Sequence, residues 1–175
     1  SEQVIDWCNS AALPLRISFT VEQEPLGTGG GIIHALPALE GNEMFIVNGD
    51  TYFEVDLPAF HRFHQAHQSP LSLALKPMQQ FDRYGSIELD TAGRISAFHE
   101  KQFREQGLIN GGIYLTTAAF LESLLLPEKF SFETAVLEPG VAAGQLYGFV
   151  SNTYFIDIGI PEDYEAAKKR LAAGR

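Results

Sequence analysis

Two carboxylates stand where apolar runs stop. Met44-Phe45-Ile46-Val47 ends in Asn48-Gly49-Asp50, and Phe155-Ile156 ends in Asp157. An acid at the carboxyl end of a buried strand sits where open α/β sheets bind ligands. A carboxylate there suits Mg²⁺, which takes few protein oxygens and keeps phosphates and water as its other ligands. Two such acids, distant in sequence, can share one cation lying between phosphates. An Asx turn at Asp50 and a helix cap at Asp157 account for the same residues, and both readings stay open at this point. Glu100-Lys101 adds a cation, a point charge able to hold a phosphate, although such pairs also decorate solvated surfaces. Asn110-Gly111-Gly112 sets an amide beside bare backbone, an arrangement suited to hydroxyl recognition or, equally, to a turn with positive φ before the apolar strand that follows.

Pro25-Leu26-Gly27-Thr28-Gly29-Gly30-Gly31 is the other conspicuous segment. Clustered glycines between a strand and a helix let the backbone approach a ligand and aim amide groups at an anion. The segment lacks the Gly-Lys-Ser/Thr ending of a P-loop and does not complete a dinucleotide fingerprint, so a plain tight turn explains it as well. His61, His64 and His67 recur every third residue without an acid or cysteine to complete a metal site, and read as surface residues. Cys8 reads as a packing residue. Neither a nucleophilic serine elbow nor a Cys/His pairing is present, so a covalent hydrolase mechanism has no support.

These residues need a scaffold. A length of 175 residues, 45% of them hydrophobic, provides for one core and one domain. The formal charge of −10 repels nucleic-acid backbones and anionic lipid, so phosphate substrates must be held by local groups or a divalent cation. No apolar run is long enough to cross a bilayer and Ser1-Glu2-Gln3-Val4 has no leader character, which leads to the expectation of a soluble, cytoplasmic protein. Residues 1–12 read as the tail of an amphipathic helix and Ile17–Val21 as an alternating strand. After the glycines come a helix over Ile32–Leu39 and a strand over Met44–Val47, buried on both faces as in a parallel sheet. A helix over Leu57–Gln68 and a strand over Leu71–Lys76 follow. Ser86–Leu89 and Arg94–Phe98 flank the turn Asp90-Thr91-Ala92-Gly93, which makes the sheet mixed. A strand over Asn110–Leu115, a helix over Ala118–Leu125 and a helix capped by Ser131 and running to Leu137 come next. Strands over Leu146–Val150 and Tyr154–Ile156 precede a last helix that opens at Pro161 and stops at Gly174.

Taken in order, Pro25-Leu26-Gly27-Thr28-Gly29-Gly30, Val47-Asn48-Gly49-Asp50, Arg83-Tyr84-Gly85, Glu100-Lys101, Asn110-Gly111-Gly112-Ile113-Tyr114 and Asp157-Ile158-Gly159-Ile160-Pro161-Glu162-Asp163-Tyr164 resemble the sugar-phosphate nucleotidyltransferase family. Phe81-Asp82-Arg83-Tyr84-Gly85 and Leu126-Pro127-Glu128-Lys129-Phe130-Ser131-Phe132 are most similar to D-glycero-D-manno-heptose 1-phosphate guanylyltransferases, with mannose-1-phosphate guanylyltransferases as the alternative. The resemblance implies a Rossmann-like, mixed and mostly parallel α/β sheet. It implies that Leu26, Gly27 and Thr28 lie against the nucleotide and that Asp50 and Asp157 bind Mg²⁺. By the same resemblance Tyr84, Gly85, Glu100, Asn110 and Gly111 line the sugar pocket, and Lys101 meets the sugar phosphate. The implied reaction transfers a nucleoside monophosphate, GMP from GTP, to a sugar 1-phosphate.

The family pattern also has a first strand, a glycine-rich loop with a catalytic Arg and a Lys-Pro segment, none of which precedes Ser1. The expectation is a single domain over residues 1–175 without that portion, its sheet completed by a partner segment or a homo-oligomer. A non-catalytic sugar-nucleotide-binding or assembly module is the reading from a different class.

Overall fold

A computed structural model of the chain describes residues 2–11 and 13–173. The expected helix stop at Gly174 falls outside the described residues. Helix α1 (Glu2–Ser10) is followed by α2 (Gly27–Ala35), a 3-10 turn (Leu36–Ala38), β1 (Glu43–Val47), β2 (Thr51–Phe53), α3 (Leu57–His67) and β3 (Leu71–Phe81). The hairpin β4 (Ser86–Leu89) and β5 (Ile95–His99) leads to the long β6 (Arg104–Thr117) and to α4 (Ala118–Ser123). A π-helical turn (Glu133–Leu137) runs into α5 (Glu138–Ala142), and β7 (Leu146–Val150), β8 (Phe155–Asp157) and α6 (Pro161–Ala173) complete the order.

Local chemistry explains several boundaries. Asp56 accepts a hydrogen bond from Ala59 N at 2.9 Å, so α3 starts with a side-chain cap, and it ends at Gln68 in the left-handed region. Asp90 Oδ1 accepts from Ala92 N and Arg94 N, and Gly93 has φ +81°, which closes the β4–β5 turn.

The main sheet has six strands in the order β5-β4-β6-β3-β7, with β1 also paired to β6. β3 lies along one flank of β6, while the other flank is shared by β4 near its start and β1 at its end. The sheet is mixed, as the hairpin implied. Antiparallel ladders nevertheless outnumber parallel ones, because β6 runs against β1, β3 and β4 and only β3–β7 is a parallel pair. A separate two-stranded sheet joins β2 to β8.

Alternation along the central strands sends side chains into two cores. Leu71, Leu73, Leu75 and Tyr114 pack with Phe130, Phe132, Val136 and Leu137 on one face. Ala74, Ile113 and Leu115 pack with Phe53 and Phe60 on the other. Phe60 stacks on Phe149 at 5.2 Å between ring centroids, which anchors α3 on β7.

Several expectations are corrected. Ile17–Val21 is irregular and its apolar residues stay exposed, since no strand among the described residues pairs with it. β1 is not buried on both faces: it is paired only with β6, and Phe45 and Val47 are exposed. The helix after the glycines begins at Gly27 rather than Ile32 and so contains them. His64 is buried, its Nδ1 2.9 Å from Ser72 Oγ, so it is not a surface residue. Asn110-Gly111-Gly112 lies inside β6 rather than ahead of a strand. Opposite it the register moves from Leu73↔Tyr114 to Leu75↔Asn110, a bulge that Gly112 accommodates at φ +72°.

Candidate active site

The glycine segment is held by the loop before the π turn. Gly29 N donates to Phe130 O at 3.0 Å, and Phe130 N to Leu26 O at 3.0 Å. A Cβ on Gly29 would fall inside the Phe130 ring, and one on Gly30 would meet Glu128 O. These glycines are therefore required by close packing of the chain on itself. Thr28 completes the junction: its hydroxyl donates to Glu133 Oε2 at 3.1 Å and accepts from Phe132 N at 2.9 Å.

Beside this junction opens a cavity of about 500 Å³, in the size range of small-molecule sites. Gly85, Glu100, Lys101 and Asn110 line it, brought together from the start of β4, the β5–β6 loop and the middle of β6. Ile87, Phe98 and Leu137 supply apolar wall, and His99, Glu133 and Glu138 complete the polar lining. Asn110 is fixed at both ends of its amide. Its Oδ1 accepts from Gly112 N at 3.0 Å across the bulge, and its Nδ2 donates to Tyr114 Oη at 2.8 Å. Burial pushes the Tyr114 phenol up to about 12, so it stays a neutral acceptor. Lys101 is exposed, and among the described residues it has no carboxylate partner within ion-pair distance.

The two strand-end acids stand at the same end of the β2–β8 sheet. Thr51 is in register with Asp157, and Ile158 N donates to Asp50 O at 2.9 Å, so Asp50 and Asp157 occupy adjacent rungs. Thr51 Oγ1 donates to Asp50 Oδ1 at 3.4 Å, and Gly159 N to Asp157 Oδ1 at 2.6 Å. No group of three or more His, Cys, Asp or Glu side chains among the described residues forms a complete metal cage. Asp50 is exposed and Asp157 half-exposed, and carboxylate oxygens of this kind are the donors that Mg²⁺ takes.

Tyr84 lines a different cavity of about 270 Å³, together with Arg83, Phe155, Asp157 and Asp163. Its ring packs edge-on against Phe155, and its phenol is pushed up to about 12 by burial and then by the charge of Asp157. Arg83 donates to Asp163 at 2.6 Å and lies 4.0 Å from Asp157. Gly111 is buried beneath Phe53 and lines neither cavity, and Leu26 and Gly27 face the Phe130 loop. Of the residues expected around a sugar, the larger cavity thus gathers Gly85, Glu100, Asn110 and Lys101, while Tyr84 and Gly111 stand elsewhere.

The model of the nucleotidyl transferase family matches residues 5–174. The chain belongs to this family. It is 46% identical to the D-glycero-alpha-D-manno-heptose 1-phosphate guanylyltransferase of Aneurinibacillus thermoaerophilus, over 90% of this chain and 68% of that one. It is 41% identical to the enzyme of the same name from Campylobacter jejuni, over 93% and 71%. Mannose-1-phosphate guanylyltransferase of Mycobacterium tuberculosis is 30% identical over 95% of this chain but only 47% of its own. Among solved structures, HddC of Yersinia pseudotuberculosis in complex with GMP-PN superimposes with a TM-score of 0.86 at 34% identity, covering 97% of this chain and 74% of that one. The Rossmann-like nucleotidyl transferase fold expected from the motifs is therefore the fold of this chain.

Sequence reasoning overlooked Glu133 and Glu138. They sit five apart in a segment with ordinary helical composition, and carboxylates at that spacing do not share a face of an α-helix, so periodicity carried no signal. Lys76, which lines neither cavity, is held internally. Its Nζ donates to Asn152 Oδ1 at 2.9 Å and Thr153 O at 2.7 Å, and desolvation lowers its pKa.

Proposed function

We propose that this nucleotidyl transferase transfers GMP from GTP to D-glycero-D-manno-heptose 1-phosphate, releasing pyrophosphate. The observation that carries the proposal is the convergence of Gly85, Glu100, Asn110 and Lys101 on one cavity beside the Thr28–Glu133 junction. The two guanylyltransferase relatives more than 40% identical to the chain over the aligned residues supply the choice of base and sugar.

The reaction requires an oxygen of the sugar phosphate to form a bond to the α-phosphorus while the bridge to the β-phosphate breaks. Catalysis of such an in-line step consists of positioning and of neutralising negative charge. In this reading the fixed amide of Asn110 and the carboxylate of Glu100 orient sugar hydroxyls, and Lys101 neutralises the sugar phosphate. Asp50 and Asp157 would hold Mg²⁺, which when bound would supply neutralising charge. A cytoplasmic location belongs to the same proposal. No helix among the described residues is long and apolar enough to cross a membrane.

The test is pyrophosphate release by the intact enzyme with GTP, ATP, CTP or UTP and heptose or mannose 1-phosphate. Turnover with GTP and heptose 1-phosphate is expected. Lys101→Ala should slow it roughly 10²–10³-fold, the usual effect of deleting one positioned charge-stabilising group, and Asp50→Asn should remove Mg²⁺-dependent turnover. Sugar-nucleotide binding with no turnover for any pair would instead make the protein a binding module.

A further inference from the structure

The wall of the larger cavity contains a helical irregularity that brings two carboxylates together. Residues 133–137 form a π turn, in which Glu138 N donates to Glu133 O, an i+5 bond. An α turn brings i+3 and i+4 over residue i, whereas a π turn brings i+5 there. Glu133 and Glu138 consequently line the same cavity. They differ in what holds them. Glu133 Oε2 accepts from both Thr28 Oγ1 at 3.1 Å and Ser131 Oγ at 2.9 Å. Among the described residues Glu138 has no side-chain hydrogen-bond partner and is exposed to the cavity.

We infer that Glu138 is a specificity-determining residue that accepts hydrogen bonds from hydroxyls of the acceptor sugar, and that Glu133 is the positioning residue that fixes the π turn presenting it. This rests on the function proposed above. An ionised carboxylate offers only acceptors, which matches a polyhydroxylated ligand that presents O–H donors. Its charge disfavours a phosphate or an acidic sugar group close by, so the phosphate is directed toward Lys101 and the hydroxyls toward the π turn. The tie from Glu133 to Thr28 also makes the shape of this wall depend on the start of α2.

The experiment is calorimetric binding of heptose 1-phosphate and of its monodeoxy analogues to the intact enzyme, its Glu138→Ala and Glu138→Gln variants, with pyrophosphate release measured in parallel. Removing a hydrogen bond to a charged group should raise the sugar-phosphate Kd roughly ten- to hundredfold in Glu138→Ala and less in Glu138→Gln. The Kd for GTP should be unchanged. For one deoxy analogue the penalty should vanish, since the hydroxyl that Glu138 receives is already gone. An unchanged Kd, or an equal penalty across every analogue, overturns the inference while leaving the guanylyltransferase reading intact. An intact enzyme that neither binds nor turns over any sugar 1-phosphate overturns both.

Discussion

Thr28 provides the sharpest test of how the glycine segment works. Its hydroxyl is used twice inside the chain, as donor to Glu133 and acceptor from Phe132 N. Thr28→Val keeps shape and β-branching but deletes both bonds. The part-buried bond from Phe132 N is worth about 1 kcal/mol. The bond to Glu133 is exposed, and screening reduces it to about 0.5 kcal/mol. The sum of about 1.5 kcal/mol lowers the folding constant roughly tenfold. With a urea m-value of about 2 kcal/mol/M it moves the unfolding midpoint by about 0.7 M. Equilibrium urea unfolding of Thr28→Val and Thr28→Ser, followed by circular dichroism, reads this directly, and Thr28→Ser should restore most of the loss. If Thr28→Val unfolds at the parent midpoint yet loses GTP binding, the hydroxyl serves the nucleotide and the packing argument is wrong.

Gly29→Ala places a methyl inside the Phe130 ring; overpacking of this kind typically costs about 1–3 kcal/mol, and thermal melting should show a clear decrease, an unaltered melt being incompatible with the packing described. His64 has a lowered pKa, caused first by burial, with Glu43 opposing and His61 reinforcing the shift. Its ordinary value is 6.5, so as pH falls below that point the unfolded chain binds a proton that folded His64 resists. Its contribution to stability is full above that pH and declines as pH falls toward the depressed folded value, by at most about 1.4 kcal/mol per pH unit. Unfolding of the parent and His64→Leu between pH 5.5 and 7.5 should differ in slope only on the acid side, and parallel slopes would count against the assignment. Tyr114→Phe removes the acceptor of Asn110 Nδ2. Stability should drop by about 1–2 kcal/mol and KM for the sugar phosphate should rise with little change in KM for GTP; a selective rise in the GTP value would disconnect Asn110 from the sugar.

Much of the scaffold could be read directly because local signals agreed with tertiary context. The Asp90–Gly93 hairpin has both the side-chain acceptor and the positive-φ glycine its turn needs, and Leu146–Val150 matched the observed strand at both ends. Ile17–Val21 shows where such signals stop. Its alternation is genuine, but a strand requires a neighbouring ladder, and none among the described residues supplies one. Met44–Val47 was misread for the opposite reason: a continuous apolar run resembles a doubly covered strand, yet β1 lies at an edge with Phe45 and Val47 open. At the site, motif order identified four residues of the larger cavity. It could not locate Tyr84 beside Asp157, because that depends on β8 packing against the loop before β4. Nor could it reveal the role of the glycines, which is set by Phe130 and Glu128 far along the chain.

The pairing of β2 with β8 has a consequence for the order in which the molecule assembles. Two strands of three residues each, drawn from the first and last thirds of the chain, make the ladder that brings Asp50 beside Asp157. Contacts between distant segments demand a large loop-closure entropy before they return any stabilisation, so they tend to form late. So short a ribbon also belongs to the part of a fold that opens by local fluctuation well below the global unfolding energy. The proposed cation site then rests on a part of the molecule that completes late and opens readily. A ligand that bridges the two strands would act as a clasp, raising amide hydrogen-exchange protection at Tyr52 and Ile156, whose amides face each other across the ladder, before it altered exchange in β3 or β6.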